Sequence, residues 1–296
     1  SPDPAAPGAA FNSRFSLGSF STRVGILYQP GAEADPARAA ATPFNWSGYY
    51  GGVNAGLQTS AGSPVRIRST PDAQPSPGWE NQSATFAGMM TGALSGDRFG
   101  FAAGAQIGWA QQTQAAHVYG VEFDVQKFTG GERAQMTRTA SFGILQQTTF
   151  TSSAAVDYSI SWLATLRGRY GVLIRPDVLV YGTAGLAAGR VRGTTYILQT
   201  PAVIVGANNV ENSLSRGSGA EFGWSAGFGV ESAFGDRISA RFEYLYYDLG
   251  TFNYRGAFDG YSNAQNCCAF RFSNPLFTNV RLNGHIVRAG LNVWLN

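Results

Sequence analysis

The sequence predicts an all-β fold: an eight-stranded antiparallel transmembrane β-barrel with an N-terminal periplasmic extension. Three observations predict it. Only 13% of the 296 residues are charged, while 13% are aromatic and 38 are glycine. A soluble domain carries about 25% charged residues, so much of this chain's outer surface must face something other than water. Second, eight windows alternate with period two, large apolar residues on one face and glycine or polar residues on the other. Third, the connections between these windows alternate strictly between long and short, as they do where barrel strands run between extracellular loops and periplasmic turns. No run of 18 uninterrupted apolar residues offers a membrane helix.

Residues 1–42 stand apart from 43–296. The opening Ser1-Pro2-Asp3-Pro4 reads as a mature end left by signal-peptide cleavage. Segments 1–10 and 29–43 are rich in Pro and Ala and read as linkers. Between them Phe15, Leu17, Val24, Ile26 and Tyr28 have strand-like spacing and are candidates for docking a periplasmic partner or peptidoglycan.

The first window, 46–57, sets Tyr49, Val53, Ala55 and Leu57 against Gly48, Gly52, Asn54 and Gly56. In 99–109 five apolar residues and Trp109 alternate with glycine, Ala102 and Gln106, and in 115–126 Tyr119, Val121, Phe123 and Val125 oppose Gly120, Glu122, Asp124 and Gln126. The fourth window, 158–170, opposes Trp162, Ala164, Leu166 and Tyr170 to Thr165, Arg167 and Arg169. The fifth, 178–190, is apolar on both faces, which leaves its phase open. In 222–231 Phe222, Trp224, Ala226, Phe228 and Val230 oppose four small residues and Glu231. The seventh, 238–247, opposes Ile238, Phe242, Tyr244 and Tyr246 to Ser239, Arg241 and Glu243, and the eighth, 285–295, opposes Val287, Leu291, Val293 and Leu295 to Arg288, Gly290 and Asn292. Short links fall near 111–114, 171–177 and 234–237, the last containing the turn pair Gly235-Asp236. The long segments, 58–98, 127–156, 191–220 and 248–282, are expected to be loops.

A soluble sandwich would bury its apolar face and solvate the other. Here the second face is mostly glycine with a few charges, which suits the narrow interior of an eight-stranded barrel. Buried charges must be paired. An interior network of Glu122, Asp124, Arg167, Arg169, Arg241, Glu243 and Arg288 is therefore expected to plug the lumen. Tyr49, Trp109, Trp162 and Trp224 are expected in the aromatic girdles. A soluble lipocalin-like barrel is the competing fold; it would bury the opposite faces.

At residues 44–52, Phe-Asn-Trp-Ser-Gly-Tyr-Tyr-Gly-Gly, the sequence resembles the porin-family and outer-membrane immunogenic β-barrel proteins of alphaproteobacteria, whose first strand opens on Trp-x-Gly-x-Tyr-x-Gly. The resemblance continues at 118–124, 166–171, 242–250 and 285–292 and spans residues 44–296. It implies an OmpA-type, Gram-negative cell-envelope protein in the outer membrane; the long-short rhythm of the connections sets both termini in the periplasm. Its implied role is structural and interactive, with loops facing outward and outer-membrane lipid and lipopolysaccharide around it. Arg288, Gly290, Val293 and Leu295 resemble the C-terminal signal read by the barrel-assembly machinery, although Asn296 stands where a final aromatic is usual.

Other chemistries have thin support. The 20 Arg and single Lys give a net charge of +3 without a basic stripe along the sequence, so no nucleic-acid partner is expected. No ligand cluster suggests a metal, and no cofactor or catalytic residue is expected. A narrow small-solute pore is the alternative function. A lipid A-modifying enzyme ranks below it, because the only histidines, His117 and His285, fall at opposite ends of the barrel. Adjacent Cys267 and Cys268 allow a vicinal disulfide, which is favoured, an intermolecular bridge, or free thiols. Tyr254, Phe258, Tyr261, Phe270 and Phe272 would either form an exposed binding surface or pack within their loop.

Overall fold

A computed structural model of the protein describes residues 44–78, 80–96, 99–114, 116–143, 147–201, 211–262 and 270–295. Eight strands close into an antiparallel ring in the order β1 (Gly48–Ser60), β4 (Phe99–Gln112), β5 (His117–Phe128), β7 (Gln147–Arg175), β8 (Val178–Pro201), β9 (Glu211–Phe234), β10 (Ile238–Ser262) and β11 (Phe270–Leu295). The last strand returns to the first with Tyr49 opposite Leu295 and Gly56 opposite Arg288. Six of the eight windows read from the sequence lie wholly within one of these strands, and the other two, 46–57 and 115–126, begin two residues before β1 and β5. Three further strands, β2 (Val65–Ser69), β3 (Gly92–Leu94) and β6 (Glu132–Gly143), and a helix, α1 (Glu80–Met90), complete the described elements.

The turns at one end are tight. β7 and β8 are joined by Pro176 and Asp177, and β9 and β10 by 235–237, where Gly235 takes φ +66°. That left-handed conformation favours glycine, which has no Cβ to clash.

The expected loops need correction. Much of 127–156, 191–220 and 248–282 is strand, and β7 to β11 run for 24 to 29 residues. A tilted strand crosses the hydrocarbon layer in 9–11 residues, so each continues far past it. Beyond the apolar band the sense of the alternation inverts. In β8 the outward residues change from Val180 and Leu186 to Arg190, Arg192 and Thr194, while the inward ones become Val191 and Ile197. From Arg190 to Thr194 this follows the rule of a soluble sheet, apolar inside and polar outside; farther along, Tyr196 and Leu198 are exposed and Thr195 and Gln199 buried.

Two bulges at the border reset the phase. In β7 the irregularity lies between Ile160 and Trp162, and in β10 between Asp248 and Thr251. Gly250, φ +78°, sits in the second, where its N–H donates to Asp248 Oδ1 at 2.8 Å. Beyond it β10 leaves β9, since their pairing stops at Asp248 and Trp224. The β10/β11 hairpin then packs face-on against β8 and β9. The Tyr254 ring lies against Gly193 and Gly217, where a Cβ would come within 2.7 and 2.5 Å of its atoms.

The first long connection supplies the remaining cover. β2 pairs with residues 276–279 of β11, and β3 pairs with β2. Asn274 ties α1 to the wall: its Oδ1 accepts from Ser83 Oγ at 2.7 Å and from the Asp72 N–H at 2.9 Å. Phe86 of α1 stacks on Phe272 at 5.6 Å. Tyr254, Phe258 and Phe272 are therefore buried in a core with Val191, Ile197 and Leu276, which overturns their reading as an exposed surface and favours packing within the loop.

Candidate functional site

Within the membrane-spanning part, the outward residues are large and apolar. Tyr49, Trp109, Trp162 and Trp224 are all exposed on this wall, as are Phe222 and Leu186. The inward residues form a charged layer. Arg167 sits at its centre: Nη2 donates to Glu122 Oε1 at 2.6 Å and Asp124 Oδ2 at 2.7 Å, and Nη1 donates to Glu243 Oε1 at 2.8 Å and Thr183 Oγ1 at 2.9 Å. Arg241 Nη1 donates to Glu122 Oε2 at 2.5 Å. Arg288 joins Glu243 through Nε at 2.7 Å and Asp124 through Nη1 at 3.2 Å. These residues meet because every one lies on the inner face of its strand, and the ring register sets Glu122 opposite Arg167 and Glu243 opposite Arg288.

Arg169 makes a second pair, with Glu231, and its guanidinium lies 3.8 Å from the Tyr181 ring centre. Glu231 also accepts from Ser239 Oγ and from Asn292 Nδ2, the latter at 2.9 Å. The structure thus places all seven residues of the expected network inside the barrel and adds Glu231, which the sequence reading left out. Four arginines then face four carboxylates, and all eight are buried. A count could have found the eighth member: four buried arginines against three carboxylates leave a cation without a partner, and burial demands one.

The glycines facing the lumen make room for aromatic rings. Gly108 lies against the Tyr50 ring and Gly229 against the Tyr181 hydroxyl, where a Cβ would approach to 2.6 Å. Tyr50 donates to Glu122 Oε2 at 2.8 Å. Below the charged layer, at the turn end, Phe44, Trp46 and Trp294 pack edge to face with centroids 4.8 to 5.8 Å apart. Trp46 Nε1 donates to the Pro176 carbonyl at 3.1 Å and Trp294 Nε1 to Ser239 Oγ at 2.9 Å. From the turn end the interior therefore passes through an aromatic layer, a charged layer and the apolar core.

Of the residues resembling the assembly signal, Arg288 and Gly290 point inward while Val293 and Leu295 are exposed on the outer wall of the closing strand. The histidines lie apart. His117 Nδ1 meets Tyr170 Oη at 2.9 Å near the turns, and His285 Nδ1 meets Tyr244 Oη at 2.6 Å at the far border of the band. Phe15, Leu17, Val24, Ile26, Tyr28, Cys267 and Cys268 lie outside the described residues.

Residues 31–267 match the family described as outer membrane protein beta-barrel domain. The chain is 25% identical over 267 residues to the 31 kDa outer-membrane immunogenic protein of Brucella melitensis biotype 1, covering 90% of each protein. It is 30% identical over 184 residues to the 22 kDa outer membrane protein of Rhizobium leguminosarum bv. viciae, covering 61% of this chain and 69% of that one. Among solved structures, OprG from Pseudomonas aeruginosa aligns with 86% of this chain and 99% of its own at 10% identity, with a TM-score of 0.40.

Proposed function

The chain belongs to the outer membrane protein beta-barrel family and is an outer-membrane protein, and from that premise we propose that it is a closed, non-catalytic structural barrel that presents a folded platform outside the cell. Both termini are periplasmic in this reading, residues 1–42 dock a periplasmic partner, and the extended strands with α1 stand above the membrane. The orientation is supported by the tight turns at one end and the long, polar-faced strands at the other, the asymmetry of outer-membrane barrels.

The observation that carries the proposal is the filled interior. A conducting lumen needs a continuous polar path, whereas here a charge-balanced cluster of four arginines and four carboxylates sits between an aromatic layer and an apolar core. The buried ions hold one another in fixed hydrogen bonds, which leaves no free charged surface for a permeating solute. A non-catalytic role is supported by the separation of the two histidines, each with its Nδ1 engaged by a tyrosine.

Planar-bilayer recording of the purified full chain tests this reading. The expected trace shows no steady conductance above the bare membrane. A reproducible open level of defined size would overturn the proposal and favour the narrow pore.

A further inference from the structure

Five basic side chains share the outer wall just beyond the apolar band: Lys127, Arg133, Arg190, Arg192 and Arg216, all exposed. They come from four different strands, β5, β6, β8 and β9, and only strand pairing assembles them. Lys127 is opposite Trp162, which is opposite Arg190. Arg192 follows two residues along β8, and Arg216 of β9 is opposite Thr194, diagonal to Arg192. Arg133 alone has a carboxylate partner, Asp157 at 3.6 Å. Among the described residues, Lys127, Arg190, Arg192 and Arg216 have no carboxylate within ion-pair distance. On the other side of the barrel Arg281 is matched by Asp248 at 2.6 Å.

The spacing defines what fits. Arg190 and Arg192 are about 7 Å apart along the strand. Arg192 and Arg216 are diagonal neighbours at about 7–8 Å. Lys127 lies two strands from Arg190, about 10 Å away. These cations can engage two phosphates separately. Beside them opens a cleft of about 350 Å³ whose lining includes Glu132, Arg133, Asp157, Ser159, Arg192 and Thr194, with hydroxyls and carboxylates that suit sugar hydroxyls. Immediately below, Leu186 and Phe222 are 68% and 76% exposed on the membrane wall. Phosphate binders above, a sugar-sized cleft beside them and an apolar wall beneath match an amphiphile with two phosphates on a saccharide and acyl chains hanging down. A free anion would leave the wall and the cleft unused.

We propose that this patch binds a bisphosphorylated glycolipid of the outer leaflet, of the lipid A class, with Arg190, Arg192, Arg216 and Lys127 on its phosphates. The leaflet assignment rests on the orientation proposed above. Loose lysine-like point contacts would select any anionic surface. Three arginines, which can each hold a phosphate by two parallel N–H bonds, select a phosphorylated headgroup.

The test uses the refolded full chain in neutral detergent and native mass spectrometry. The probes are bisphosphorylated lipid A, its monophosphorylated form, a phosphatidylcholine and free pyrophosphate. Bisphosphorylated lipid A should be retained, the monophosphorylated form more weakly, and phosphatidylcholine not at all. Combining Arg190→Ser, Arg192→Ser and Arg216→Ser should weaken lipid A binding by about fivefold per residue, roughly a hundredfold in total. Unchanged affinity in that variant, equal retention of phosphatidylcholine, or displacement by pyrophosphate at the lipid's own concentration would each overturn the proposal. The orientation is read separately, with Ser218→Cys in a Cys267→Ser, Cys268→Ser background and an impermeant maleimide on intact cells. Labelling is expected. Lipid binding without labelling overturns the orientation and the leaflet assignment with it; labelling without lipid binding overturns the site alone.

Discussion

The pair of Arg169 and Glu231 offers a clean measurement of how the charged layer contributes to stability, because it stands slightly apart from the Arg167 cluster. Both side chains are buried, with 1% and 0% exposure. Arg169→Met leaves the Glu231 carboxylate with only the donors Ser239 and Asn292. Removing one partner of a buried ion pair costs about 3–5 kcal/mol. Taking a urea slope of about 2 kcal/mol per molar, the midpoint should fall by roughly 2 M. Glu231→Gln should cost a similar amount by leaving the Arg169 cation against the Tyr181 ring. The double variant removes both charges and keeps an amide that can still accept from Ser239, so its cost should drop to about 1–2 kcal/mol, the value of one or two neutral hydrogen bonds. The assay is urea unfolding in lipid vesicles, followed by tryptophan fluorescence and heat-modifiable migration. If the two single costs simply add in the double variant, the charges are not coupled and the account of the lumen as a paired ion layer is wrong.

Two further outcomes concern the part beyond the membrane. Gly217→Leu should drive a side chain into Tyr254, whose Cβ already lies 2.5 Å from the position of a Cβ at 217. Overpacking of this kind costs about 1–3 kcal/mol, so limited proteolysis should cut the outer strands sooner while the membrane barrel stays heat-modifiable; unchanged protection would refute the face-on packing of β10. Asp72 accepts the N–H groups of Gln74 at 2.9 Å and Ser273 at 2.7 Å, and these bonds hold its carboxyl below the ordinary value of 3.8. A lowered folded value means that the stabilisation is present above the ordinary value and is lost as pH falls through the lowered one. The protection of the Ser273 amide against hydrogen exchange, relative to its intrinsic rate at each pH, should therefore stay high above the ordinary value of 3.8 and fall as pH drops through the lowered one, and Asp72→Asn should flatten that dependence. A pH profile identical in the two proteins would refute the clamp.

Within the membrane band the sequence is easy to read, because lipid imposes one rule on every strand: an apolar side chain outward at each second residue. Trp109, Phe123, Leu166 and Phe228 obey it, and their neighbours Glu122, Arg167 and Glu243 are marked as interior by falling on the glycine face. Trp294 is out of phase with the outward residues for the same reason and proves to be part of the aromatic layer. β8 was ambiguous because Val, Ala and Gly occupy both of its faces. Its register against Glu231 and Arg167 decides that Leu179 and Tyr181 point inward.

Local pattern by itself determined the eight strands, their antiparallel order and the charged interior, since the period of a strand and the demands of lipid and of buried charge act residue by residue. Tertiary structure decided the rest. Above the membrane both faces trade roles and two bulges shift the phase, so the chain there resembles loops until its partner strands are known. Tyr254 is a core residue only because β10 leaves β9 at Asp248 and folds across glycines some 40 to 60 residues away, and Phe258 because Phe86 and Phe272 cover it. The basic patch is likewise invisible along the chain: its five cations are scattered from Lys127 to Arg216, and pairing between neighbouring strands, about 4.8 Å apart, brings them onto one wall.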